Sequence, residues 1–374
     1  MRVLLQVFGL VCLTVGVRAD NWEDITADKD IQLTQSSATS LIKHLDDALP
    51  NISVDKVVAD VNHQMTVKDG RYQWPATKDD DLFDSESWYP QGISSSVDAG
   101  DSKYNKNHLF LVSWYAKKDK EKGARISFIN TSVSPPKYRH VLLVEPSGTS
   151  SKPSFKSVEV HAGGIAWYGN LLYVQDTDHG ARLFDVDHIY KVKDGDGVGR
   201  QQDGSYHAYG YKYVLPQVRR YTSHGHPKGH DFTYSCLALD RTSNPNSIVF
   251  GEYYHAADGD WSRVARFDLD SDTKLFKVNK DNVATASKVF HHGEHRVQGA
   301  ITVEGRYFLS QSNGDDDSDI IGFTPGEKNS KQYRILPPGS EDLTYDNETE
   351  TLWTLTEHAG ARYLIGTPIK NISS

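Results

Sequence analysis

Five side chains carry the acid–base potential of this sequence: His161, Asp176, Glu252, Asp342 and Glu357. An imidazole among carboxylates can divide the roles of proton donor and acceptor, because burial and like charge push proton affinities apart. His161 opens the stretch HAGGIAWYGNLLYVQDT (161–177) and Asp176 lies near its far end. A strand that goes out and returns over that span brings both to one rim. The same argument gathers Gln91, Gln298 and Glu341 with Asp342 from comparable strand starts, and Trp114, Tyr115, Tyr253 and Gln311 with Glu252 and Glu357 from comparable strand ends. The aromatic planes of Trp114, Tyr115 and Tyr253 suit sugar faces, and the amides of Gln91, Gln298 and Gln311 suit hydroxyl groups. Clustered oxygens would also suit a hard cation such as calcium. The expected cofactor is therefore none or a divalent cation, with no ligand set identified.

What must position these residues is a repeat. A first element recurs as YPQGISSSVDA (89–99), VHAGGIAWYG (160–169), FTYSCLALD (232–240), VQGAITVEG (297–305) and GSEDLTYDN (339–347). An apolar second element follows each, ending in polar residues, as in LLYVQDT (171–177) and TLWTLTEH (351–358). A third shares Ala-Arg in four of its five copies, at 124–125, 181–182, 265–266 and 361–362. A fourth precedes the next first element, as in YRHVLLVEP (138–146) and YKYVLPQ (211–217). Four strands repeated at this spacing predict an all-β chain, a β-propeller of five four-stranded blades over 88–370. Small residues in the first element suit a crowded innermost strand.

The last copy lacks a fourth strand, which the N-terminal segment, residues 20–87, is expected to supply. Residues 53–68 offer β material, and 36–50 carry Leu41, Ile42, Leu45 and Leu49 at helical spacing before Pro50. A sixth blade built from 52–87 is the alternative.

The strings WYPQGIS, LVSWY, YRHVLLVEP, VHAGGIAWYG, YKYVLPQ, VQGA and LWTLTEHAGARY resemble a family of largely uncharacterised secreted, β-propeller-like proteins of actinomycetes and fungi. The likeness covers roughly residues 88–368. It implies secretion and supplies no catalytic residues, so activity must be argued from the site.

The N-terminus points the same way. MRVLLQVFGLVCLTVGVRA has a basic start, an apolar run too short to span a bilayer, and small residues at a cleavage position. A signal peptide over 1–19 predicts an extracellular protein without a membrane segment. Sequons at Asn51, Asn130, Asn347 and Asn371 are compatible with glycosylation on that route. Loss of Cys12 with the signal leaves Cys236 alone, so no internal disulfide forms and a packed core must carry stability. A net charge of -9 argues against a nucleic-acid partner. SHGHPKGHD (223–231), with His224, His226 and His230 in a Gly/Pro loop, and the similar HHGEH (291–295) are loose transition-metal patterns, while NGDDDSD (313–319) and DGDG (194–197) lack a calcium loop's closing glutamate and are better read as solvated turns. No nucleophile elbow, Walker loop or dinucleotide fingerprint is present.

The sequence therefore predicts a monomeric, secreted hydrolase or lyase acting on an extracellular saccharide or similar polar small molecule. The alternative is a non-catalytic propeller that binds glycan or protein. The matching places at the five strand starts hold different residues, which favours one central site over a pocket repeated in every blade.

Overall fold

The computed structural model describes residues 15–19, 22–28, 30–77, 80, 87–100, 104, 106–225, 231–255, 262–327 and 329–372. Strands dominate it, and the longest helix has eight residues. No helix among the described residues is long and apolar enough to cross a membrane.

Five antiparallel meanders organise the chain. The first runs Trp88–Ser95, Leu109–Ala116, Ala124–Asn130 and Lys137–Thr149. The second runs Ile165–Tyr168, Leu171–Asp176, Gly180–Asp185 and Tyr213–Ser223. The third comprises Cys236–Asp240, Ser247–Gly251, Arg263–Asp268 and Lys288–His291. The fourth comprises Val297–Val303, Arg306–Asn313, Asp316–Phe323 and Asn329–Leu336. The fifth has Ser340–Asp346, Thr351–Thr356 and Tyr363–Pro368, and its next strand is Arg71–Gln73 from the N-terminal segment.

The five first strands touch in the cyclic order one, two, three, four, five and back to one. Apolar side chains fill the spaces between neighbouring sheets: Leu237, Ile248, Phe250 and Phe267 of the third meander share one cluster with Tyr173 and Leu183 of the second. Close approach near the axis depends on glycine. A Cβ on Gly164 would lie 2.1 Å from the Leu237 amide nitrogen, and one on Gly163 would lie 2.2 Å from the Ser235 carbonyl oxygen. Backbone on both sides leaves no room for adjustment, so the two glycines after His161 are a packing requirement.

The sheets are larger than four-strand units. The chain ahead of the first meander pairs with all five meanders in turn, its first strand lying within the expected signal peptide, residues 1–19. Val15–Ala19 adds to the fourth, Glu23–Asp24 to the third, Gln32–Gln35 to the second and His63–Gln64 to the first. Thr66–Lys68 extends the fifth beyond Arg71–Gln73. The last strands of the first and second meanders also pair in parallel, which merges them into one 14-stranded sheet. Leu41–Ala48 is helical and buries Ile42 and Leu45. The strand expected across 53–68 is interrupted by a helix, Val54–Ala59, whose Val54, Val57 and Val58 share one buried face at helical spacing.

Candidate functional site

A cavity of about 630 Å³ opens where the first strands begin and the second strands end. Gln91, Tyr115, His161, Asp176, Tyr253, Gln298 and Glu357 line it, together with Lys117, Glu159, Asp178 and His179. Seven of the eleven side chains assigned a catalytic or binding role from sequence thus meet at one place. Tyr115, Glu159, Val160 and His161 also border a second lobe of about 310 Å³, which reaches Lys120 and Gly123. His161 therefore stands between the two lobes.

The backbone fixes His161 from below. Ala162 adopts a left-handed φ of 55°, unusual for a residue with a Cβ, and its carbonyl accepts a 2.7 Å hydrogen bond from the Ser113 hydroxyl. Gln175 braces the next residue: its Oε1 accepts the Gly163 amide at 2.5 Å, while its Nε2 donates to Thr177 and to the Tyr234 carbonyl. The Tyr115 ring lies 4.5 Å from the imidazole. The imidazole is exposed to the cavity, with protein packed close around it. Desolvation by that protein, with the nearby Lys117 charge, pushes the His161 pKa down to about 4, so the ring is neutral at physiological pH.

Glu357 receives a 2.9 Å hydrogen bond from the Gln91 amide, and Glu341 receives one of 3.1 Å from Gln298. Burial, reinforced by the charges of Glu357 and Asp342, raises the Glu341 pKa well above the carboxylate range. The shift favours the protonated form of Glu341 behind the Gln298 wall. Backbone bulges explain the placement of this trio. The pairing register shifts between Pro90 and Ile93, between Val297 and Gly299, and between Ser340 and Leu343, so Gln91, Gln298 and Glu341 all sit on bulges at equivalent strand starts.

Four of the sequence assignments do not reach the cavity. Glu252 is fully buried and committed to structure. Its Oε2 accepts the Arg263 Nε at 2.7 Å and its Oε1 the Arg263 terminal nitrogen at 2.9 Å, with the Thr233 and Arg263 amides at 2.8 and 3.0 Å. Trp114 is buried, its indole donating to Ser127 at 2.8 Å. Neighbouring strand residues face opposite ways, so Tyr115 at the cavity requires Trp114 to point into the sheet interface. Asp342 lies below the mouth, where Oδ2 accepts the Ile93 and Ile165 amides at 3.1 and 3.3 Å and so ties three first strands together. Gln311 turns to the His295 carbonyl at 2.8 Å. Asp176 does line the cavity, but Arg182 at 2.8 Å and His179 at 3.0 Å hold its carboxylate.

Among the described residues, no group of three or more His, Cys, Asp or Glu side chains is arranged to hold a metal ion. His224 bonds to Thr34, while His226 and His230 lie outside the described residues. Cys236 is buried, and burial drives its thiol pKa well up. Asn51, Asn347 and Asn371 are exposed. Asn130 is buried and its amide donates to Asn107 at 3.1 Å, so this fold has no room for a glycan there. Lys117, Glu159 and His179 were not singled out from sequence. Only their places beside residues 115, 161 and 176 could have marked them.

No family model matches the chain, and no curated protein matches it. Among solved structures, a gluconolactonase of Xanthomonas campestris aligns over 96% of this chain and 90% of its own, at 10% identity and a TM-score of 0.34.

Proposed function

We propose that the five meanders are the blades of a β-propeller, and that its mouth hydrolyses an extracellular saccharide or a similar polar substrate. One observation carries the reading: a neutral imidazole, His161, and the carboxylate of Glu357 share a cavity of the size that binds small molecules. Neutral His161 takes a proton from the attacking water and returns it to the leaving-group oxygen as the bond to the reacting carbon breaks. Glu357, oriented by Gln91, stabilises positive charge that develops at the reacting carbon. Tyr115 and Tyr253 offer aromatic faces for a sugar ring. The signal-like N-terminus supports secretion of the protein.

The test is turnover by purified protein against a panel of glycans and model esters. Glu357→Gln and His161→Ala should each lower kcat by about 100-fold or more, with melting temperatures near wild type. The rate should rise with pH through about 4, where His161 loses its proton, and then level off. Saturable glycan binding without turnover would replace the enzyme with a binding module. Turnover indifferent to both substitutions would remove the site.

A further inference from the structure

A second cavity, of about 240 Å³, lies on the outer strands of the first meander and shares no lining residue with the mouth. Lys122, Arg125, Arg139 and Lys212 line it with His63 and Tyr211, and no carboxylate does. The acids that pair with these cations are not among the lining residues. Asp60 holds the Lys212 ammonium at 2.6 Å and the Arg139 guanidinium at 3.5 Å, Asp119 holds Lys122 at 2.8 Å, and buried Asp80 lies 3.8 Å from Arg125. Four cations thus face three carboxylates, all of the latter outside the lining, in a chain of net charge -9.

The wall is also rigid. Arg125 is about 1% exposed, with its guanidinium 4.3 Å from the Trp88 ring and 4.9 Å from the Trp114 ring, and it donates to the Tyr211 hydroxyl at 3.0 Å. Planar guanidinium groups held in place match the oxygens of phosphate and sulfate, and preorganisation lowers the entropy lost on binding. Asp80 is anchored by His140 at 2.9 Å and Thr77 at 2.8 Å, so it cannot swing out to occupy the cavity.

We propose that this cavity is a binding site for one tetrahedral oxyanion, a phosphate or sulfate group, either free or carried on a sugar. The reading is independent of any activity at the mouth. Isothermal titration calorimetry with inorganic phosphate, inorganic sulfate, glucose 6-phosphate and glucose 6-sulfate tests it. At least one should bind saturably, and the double variant Arg139→Gln/Lys212→Gln should weaken that binding at least tenfold while leaving the melting temperature near wild type. Tighter binding of the sugar esters would identify a sugar-borne group as the ligand, and tighter binding of the inorganic ions would identify a free one. Should the double variant prove unstable, Lys122→Gln, a partly exposed position, should still weaken binding several-fold. No saturable heat from any of the four probes, or binding unchanged in a folded variant, would overturn the assignment.

Discussion

Replacing Arg263 with methionine tests whether Glu252 is structural, as its surroundings require, or one of the reacting acids. In the folded protein Glu252 has no exposed surface and receives two hydrogen bonds from Arg263, at 2.7 and 2.9 Å. Removing the guanidinium leaves a buried carboxylate with two backbone donors and the Tyr254 hydroxyl at 3.3 Å, and no cation. Breaking a buried pair this way costs about 3–5 kcal/mol at neutral pH, far more than an exposed pair contributes. The pH dependence has a definite sign. Burial already raises the folded-state Glu252 pKa above its ordinary value despite Arg263, and removing the guanidinium raises it further, so the added penalty is full above the variant's folded pKa. It fades as pH falls toward the unfolded carboxyl range, because a protonated Glu252 has no charge to desolvate. Urea unfolding at pH 7.5 and pH 5 should show a large wild-type–variant gap that narrows at the lower pH. A gap below about 1 kcal/mol, or one of equal size at both pH values, would refute the account.

Two further outcomes follow from the packing. Gly164→Ala places a Cβ 2.1 Å from the Leu237 nitrogen, and thermal unfolding should show a loss of at least about 1–3 kcal/mol; a variant as stable as wild type would mean that neighbouring first strands are farther apart than described. Cys236, buried and with its thiol pKa driven up, should resist thiol reagents in the native protein and react only after unfolding, so rapid native labelling would contradict its core position.

The sequence made the meanders legible because each carries the same four-part pattern, and the convergence of His161, Asp176 and Glu357 followed from it. Direction was harder to read. Trp114 and Tyr115 are adjacent and both aromatic, and Glu252 and Tyr253 are adjacent and both polar. Only the alternation of strand faces decides which of each pair meets the cavity. The partner of Glu252 was invisible for another reason: Arg263 is one cation among many, 11 positions away across a turn. Bulges were equally hidden, since the extra residue that re-aims Gln91, Gln298 and Glu341 leaves no compositional mark.

The N-terminal segment shows most clearly how pattern and fold can part. Its strands are two to four residues long, too short for alternation to register. Each forms only because an edge already waits for it: Arg71–Gln73 has Tyr72 opposite Leu364, and His63 lies opposite Tyr138. Beyond residue 19 the segment meets the third, second, first and fifth meanders in that order, which is stepwise travel round the cycle of first-strand contacts. A chain that passes four meanders couples them. Opening any one sheet at its outer edge also strains the strap on its neighbours, which adds to the cooperativity of a structure built from repeats. The same strap covers the outer edges, where exposed amides and carbonyls would otherwise invite pairing with another chain. An N-terminal segment without an obvious pattern of its own is therefore as much a part of the ring as the repeats that were visible in sequence.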